Sequence, residues 1–341
     1  KYKEIEEVDS IIGNTEKLQS LTWKNLKYLK SFKVGNILEE NKTVTSSIEK
    51  FEGKSRAYIE IQQGCDHRCT FCIIPYGRGN NRSVPAGEIV DKIKRIVNNG
   101  YNEVVLTGVD ITDYGKDLPA KPKFSNLIKR ILKLVPELKQ LRLSSIDCAE
   151  IDEDFWDILK DERLMPHFHL SLQAGNNLIL KRMKRRHSKQ MAIDFCKKVL
   201  SIRKNATFGA DIIAGFPTET EEMFLDSVKM IDECKLTHLH VFPYSPRENT
   251  PASRMPQLDK NIIKNRAKRL RNKGMENLKK HLKNKIGKKE FILIENNKNK
   301  ISLGKDQHFV KVKIDEEVME GNIISCVYTG IDNDTLIAKR A

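Results

Sequence analysis

The sequence predicts an α/β fold in which a partial barrel of six strand–helix units is followed by a small C-terminal β-barrel. Six apolar, β-rich runs recur between residues 57 and 242 with helical patterns between them, the rhythm of parallel strands and crossover helices. After Gly287 the rhythm gives way to short β runs separated by turn residues, as in a small barrel of the OB type. A chain of 341 residues, 39% hydrophobic and 31% charged, is long enough to bury a full core in more than one domain.

Residues 1–50 are Lys-rich, with an expected strand at Val8–Ile12 closed by Gly13 and a helix from Asn14, a good N-cap residue. So short a segment struggles to bury a core of its own, and it reads as the remnant of a domain that begins before Lys1. Residues 51–258 form the strand–helix core. Its strands are expected at Ala57–Gln62, Glu103–Thr107, Gln140–Ile146, His167–Gln173, Thr207–Ile213 and His238–Phe242. Helices are marked by Ile89, Ile93, Ile96 and Val97 before Gly100, by Leu127, Ile128, Ile131 and Leu132, and by Phe224, Val228 and Ile231 after a first turn holding Glu219, Glu221 and Glu222. Residues 259–286 read as a basic helical linker, interrupted near Gly274. Residues 287–341 form the small barrel, with runs at Glu290–Ile294, Phe309–Ile314, Gly321–Tyr328 and Thr335–Lys339 separated by turn signals such as Asn296-Asn297 and Asp332-Asn333-Asp334.

No apolar run approaches the roughly 18 residues that span a bilayer, and no signal-peptide pattern opens the sequence, so no membrane partner and a cytoplasmic location are expected. The net charge is +15, and residues 260–289 supply most of it, with 13 Lys/Arg against the single acid Glu276. Such a concentration points to a polyanion such as RNA. The alternative is compositional, since Lys, Asn and Ile are abundant throughout.

Seven cysteines do not form a disulfide framework: Cys65, Cys69 and Cys72 lie together, while Cys148, Cys196, Cys234 and Cys326 are scattered. Three thiolates spaced x3 and x2 in a loop after the first strand can converge on one soft metal centre. On a cubane of four irons they leave one iron open, which can bind a substrate. A zinc site completed by His67 is the alternative, although zinc modules more often pair their ligands as C-x2-C. His167 and His169 point the same way on one strand, where polar packing is preferred over metal binding. Lys181, Arg182, Lys184, Arg185 and Arg186 either meet phosphate or face water.

Cys65-Asp66-His67-Arg68-Cys69-Thr70-Phe71-Cys72 resembles the signature of radical S-adenosylmethionine enzymes, with Phe71 in the aromatic position. Cys72-Ile73-Ile74-Pro75-Tyr76-Gly77-Arg78-Gly79, Asp211-Ile212-Ile213-Ala214-Gly215-Phe216-Pro217 and Phe242-Pro243-Tyr244-Ser245-Pro246-Arg247 are similar to the methylthiotransferase branch. Within it, His169-Leu170-Ser171-Leu172-Gln173-Ala174-Gly175 resembles the MtaB type. The MiaB type, acting on isopentenyladenosine, and the RimO type, acting on a ribosomal-protein aspartate, usually read H-x-P-x-Q-S-G there.

The resemblance implies a barrel of the radical S-adenosylmethionine type with a TRAM-like C-terminal domain. It implies methylthiolation of carbon 2 of N6-threonylcarbamoyladenosine beside the anticodon of tRNA, and an electron-donor protein. Cys65, Cys69 and Cys72 would hold one [4Fe–4S] cluster, whose open iron chelates S-adenosylmethionine. Phe71, Gly108, Gln173 and Gly215 would lie around that cofactor, and no residue is assigned a catalytic role. Glycines at strand ends also simply make turns, and Gln173 could instead satisfy a core backbone group. Family members carry three further cysteines in an N-terminal domain for a second cluster; these are absent here, so a second cluster is expected only where that domain is present. In the TRAM-like barrel, Phe309 and Tyr328 are few aromatics for base stacking, and backbone contact through Lys305, Lys311 and Lys313 is expected instead. The alternative to an enzyme is an RNA-binding module with a structural metal.

Overall fold

The expected apolar runs fold as six parallel strands in chain order. The computed structural model describes residues 2–25, 32–41, 43 and 53–341. Strands β1 (Ala57–Gln63), β2 (Glu103–Gly108) and β3 (Gln140–Leu143) pair in parallel, and Arg82–Ser83 adds antiparallel to the outer edge of β1. A second parallel sheet joins β4 (His167–Gln173), β5 (Thr207–Ala214) and β6 (Leu236–Pro243). Parallel pairs Leu141↔Leu164 and Ile146↔Leu170 bridge the two sheets. The third strand is shorter than its apolar run, because only Ile146 of its last residues re-enters a strand pairing.

Helices α1 (Ala86–Asn98), α2 (Phe124–Leu134), α3 (Lys189–Ile202) and α4 (Glu221–Glu233) pack on the strands through one apolar stripe each. Ile89, Ile93 and Ile96 of α1 and Leu127, Ile128 and Ile131 of α2 are buried with Ile59, Ile61 and Leu106. Each such side chain contributes roughly 1.5–3 kcal/mol. Thr220 caps α4 by accepting the Met223 N–H at 3.3 Å. Glu219, expected in the first turn, precedes the helix and turns inward to Arg266, 2.8 Å away.

Helix α5 (Lys260–Lys283) runs unbroken through Gly274, against the expected interruption. The glycine meets a packing demand: a Cβ there would stand 2.9 Å from the Leu239 Cβ on β6. Gly274→Val should therefore cost about 1–3 kcal/mol in urea unfolding, as overpacked contacts do. At 24 residues the helix spans about 36 Å. It begins beside Gly215 at the carboxyl end of β5, where Ile263 packs, and ends with Leu282 in the core of the small barrel.

That barrel has five strands where four runs were expected: β7 (Lys289–Lys298), β8 (Ile301–Asp306), β9 (Lys311–Ile314), β10 (Ile323–Asp332) and β11 (Thr335–Arg340), closed in the order β7-β8-β9-β11-β10. Asn296 and Asn297, expected as a turn, continue β7 past a bulge. The chain reverses one step later, at Asn299 and Lys300, which both adopt positive φ as a tight hairpin requires. Phe309, expected in a strand, sits in a turn with φ +66°.

The small barrel covers the amino-terminal ends of the parallel strands. Buried Glu103 accepts from Arg56 Nε at 2.6 Å and from Arg142 Nε and Nη2 at 3.2 and 3.1 Å. Arg56 also pairs with Glu295, and Arg142 donates to the Gln307 carbonyl at 3.2 Å. The Phe309 ring stacks on His167 at 5.7 Å and lies under the Arg142 guanidinium at 4.9 Å. Near the N-terminus, only Ile11–Ile12 of the expected strand Val8–Ile12 forms a strand, paired with Phe32–Lys33, and a short helix covers Ser20–Lys24. The expected boundary near residue 50 lies outside the described residues. Among those described, no helix is long and apolar enough to cross a membrane.

Candidate metal and cofactor centre

The loop after β1 is shaped by close backbone contacts. Gly64 has φ +70°, and a Cβ there would lie 1.9 Å from the Asn80 carbonyl oxygen, so only glycine fits. Cys65 N–H then donates to the Gly79 carbonyl at 3.1 Å, and Cys72 N–H to the Cys69 carbonyl at 3.1 Å. Fully buried Gln62 ties this loop to the next strand end. Its Nε2 donates to the Gly64 carbonyl and to Asn81 Oδ1, both at 2.7 Å, and its Oε1 accepts the Asp110 N–H at 2.8 Å. Gly64→Ala should weaken metal retention about tenfold or more, the scale of a lost supporting contact, measured as iron per chain after anaerobic reconstitution.

Cys65, Cys69 and Cys72 all line one cavity of about 450 Å³ at the carboxyl ends of the strands. Phe71, Gly108 and Gln173 line it too. Phe71 meets Phe216 edge-on at 6.5 Å. Gly108 lies so close to β1 that a Cβ would stand 2.7 Å from the Gln62 carbonyl oxygen. Gln173 holds φ +67°, a strained backbone for a non-glycine residue, at the mouth of β4. Gly215 is not among the lining residues; with φ +75°, its N–H bonds to Glu219 Oε2 at 3.0 Å and its α-carbon packs against Ile263.

Arg185 reaches the cavity from the turn after the helix Asn177–Arg182. It donates to Asp147 Oδ2 and the Ser171 carbonyl, both at 2.7 Å, and stands 3.7 Å from Cys69 Sγ. Its basic neighbours do not all face water or phosphate: Arg182 donates to Thr218 Oγ1 at 2.8 Å, and Arg186 pairs with Glu150. Sequence reasoning missed Gln62 and the role of Arg185. A polar residue ending an otherwise apolar strand was the available signal for the first; nothing local marked the second.

The three thiols are not electrically alike. Burial, helped by the nearby Asp110 charge, raises Cys65 to about 12, and burial also raises Cys72. At Cys69 burial pulls upward, but hydrogen bonding from His67 and the Arg185 charge hold the thiol below its ordinary value. Three desolvated thiols with so few nearby cations suit a group that brings positive charge, because coordination deprotonates a thiol outright. The donor set and cavity therefore fit a metal cluster. His67 could bring a nitrogen near Cys65, but it is engaged by Glu150 at 3.1 Å and Asp110 at 3.2 Å.

His167 is buried against His238 and Phe309, as polar packing required. Cys148 packs, partly buried, against the apolar core that also holds Cys196 and Cys234. Cys326 lies in the small-barrel core. Lys305 lies over the Phe309 ring at 3.4 Å, Lys311 pairs with Asp334 at 2.9 Å and Lys313 with Asp315 at 3.8 Å. Tyr328 is buried, its hydroxyl donating to Asp306 at 2.8 Å.

Residues 59–231 match the radical SAM superfamily. The chain is 51% identical over 332 residues to the threonylcarbamoyladenosine tRNA methylthiotransferase MtaB of Rickettsia prowazekii, covering 97% of this chain and 77% of that protein. It is 34% identical over 304 residues to the MtaB of Aquifex aeolicus, covering 86% and 72%. Against the MtaB of Bacillus subtilis it is 36% identical over 239 residues, and the match spans 70% of this chain and about half, 53%, of that protein. With three cysteines in one strand-end cavity and a match of this extent, the chain belongs to the radical SAM superfamily and, within it, to the MtaB methylthiotransferase family.

Proposed function

We propose that the chain methylthiolates carbon 2 of N6-threonylcarbamoyladenosine next to the anticodon of tRNA. The observation that carries this reading is the convergence of Cys65, Cys69 and Cys72 on a cavity shared with Phe71, Gly108 and Gln173, in a chain whose relatives bear that activity in their names. Cys65, Cys69 and Cys72 would hold a [4Fe–4S] cluster, which would supply the electron for reductive cleavage of S-adenosylmethionine. Gln62 fixes the cysteine loop against β2, Arg185 orients Cys69, and Gly108 and Gln173 shape the wall on which the cofactor rests. Gly215 supports the rim through Ile263 rather than lining the cavity. Because the small barrel covers the other end of the strands, the nucleotide enters from the carboxyl-terminal rim, and the adenine has to be splayed out of its stack to reach the cavity.

The basic helix supports an RNA contact beside that rim. Arg266, Arg269 and Lys273 are paired with Glu219, Glu221 and Asp232, so much of the charge is spent within the fold. Lys260, Lys264, Lys268 and Arg271 are exposed, form no ion pair with described residues and recur at helical spacing along one stripe. Lys264→Glu with Lys268→Glu should weaken tRNA binding and reduce the salt slope of log K by about 2. An unchanged slope would remove the helix from the interface. The closed order β7-β8-β9-β11-β10, with β9 and β11 parallel, supports an OB-like, TRAM-type barrel, and its place at the far end favours a role in holding the core.

Sulfur delivery is assigned to none of Cys148, Cys196, Cys234 and Cys326. No cysteine precedes Cys65, and Cys148, Cys196 and Cys234 sit in apolar surroundings. A cytoplasmic enzyme served by an electron-donor protein completes the reading. The test is mass spectrometry of nucleosides from tRNA incubated with reconstituted chain, S-adenosylmethionine, sulfide and reductant. A methylthio mass increment on threonylcarbamoyladenosine is expected. An increment on isopentenyladenosine alone, or one zinc and no iron per chain, would overturn the assignment.

A further inference from the structure

Between the cysteine cavity and the small barrel, three adjacent strands bring together donors that the cluster does not use. Asp211 on β5 is directly opposite His240 on β6, and His169 on β4 is opposite Gly209, two residues before Asp211. A Cβ at Gly209 would stand 2.5 Å from His169 Nδ1, so the missing side chain lets the imidazole lie across β5 and reach Asp211. His169 Nε2 is 3.0 Å and His240 Nδ1 is 3.2 Å from the same oxygen, Asp211 Oδ1. All three donor atoms lie within 4.8 Å of one another.

Separations of about 3 Å between donors are the polyhedron edges expected around a cation with bonds of roughly 2.0–2.2 Å to nitrogen and oxygen. Two imidazoles and one carboxylate are a donor set that suits a divalent transition metal, and three ligands leave positions open. The His169 and Asp211 side chains are 12% and 22% exposed, whereas His240 is 62% exposed and offers a route in. Asp211 also lines the cysteine cavity.

We propose that His169, Asp211 and His240 form a second metal site, for a divalent cation of the zinc or iron(II) class, separate from the three-cysteine centre. Co²⁺ is the probe, because its d–d bands report nitrogen and oxygen ligands while thiolate ligation adds a distinct near-ultraviolet band. In the full chain with Cys65, Cys69 and Cys72 all changed to Ser, one equivalent of Co²⁺ should bind with d–d bands and no thiolate band. Asp211→Asn or His240→Ala in that background should weaken binding at least about 100-fold, the upper end of what even an outer partner contributes. Should the triple variant not fold, wild type against His240→Ala gives the same answer. The stoichiometry should fall by one while the thiolate band stays. No Co²⁺ on a folded triple variant, or binding unchanged by His240→Ala, would overturn the site and leave a hydrogen-bonded polar interior.

Discussion

Cys69→Ser should abolish cluster retention and reduce 5′-deoxyadenosine formation at least about 100-fold, more than the loss of an outer partner costs a metal site. Cys69 is the middle of the three proposed ligands and the only one of them held below its ordinary value, through His67 and Arg185. Serine offers a harder, less acidic donor to a soft centre. The loop around it is fixed independently by Gln62, Gly64 and Arg68, which donates to the Cys65 carbonyl, so the fold should survive. Circular dichroism and tRNA affinity near wild type, with iron absent, is the expected combination. Iron retained at four per chain would remove Cys69 from the ligand set.

Arg142→Met should cost about 3–5 kcal/mol, the largest stability loss expected from one substitution here. Glu103 is fully buried at the start of β2 and keeps its charge because Arg142 and Arg56 outweigh the burial that would raise it. Removing Arg142 leaves Glu103 with one partner, loosens Phe309 and frees the Gln307 carbonyl, so the small barrel parts from the strand ends in the same step. The pH dependence follows from the lowered carboxyl. Its contribution is complete above the ordinary carboxylate range and is lost as pH falls through the depressed value. Wild type should thus resist acid further than Arg142→Met, whose unfolding midpoint moves to higher pH. Equal midpoints in urea and in acid would show that the cluster does not join the two units.

Much of this arrangement was legible in the sequence. Strand positions followed from apolar runs flanked by turn residues, and His167–Gln173 agreed to the residue. The cysteine loop was legible because its three cysteines are close in sequence. What escaped depends on tertiary contact. Gly274 looked like a helix breaker, since nothing local shows Leu239 pressed against it. Asn296-Asn297 looked like a turn until a bulge absorbed it into a strand. The charge of the basic helix was visible, but its partners Glu219, Glu221 and Asp232 lie some 40 positions away or more. Arg185 needed the fold as well, because its three contacts come from the cysteine loop, β4 and the loop after β3.

The most direct measurement is 5′-deoxyadenosine formed by the anaerobically reconstituted chain with S-adenosylmethionine and dithionite, alongside iron content. The account predicts about four irons per chain and product that depends on Cys65, Cys69 and Cys72. A full iron count with no 5′-deoxyadenosine would contradict it, because the cavity would then hold a cluster without reductive chemistry.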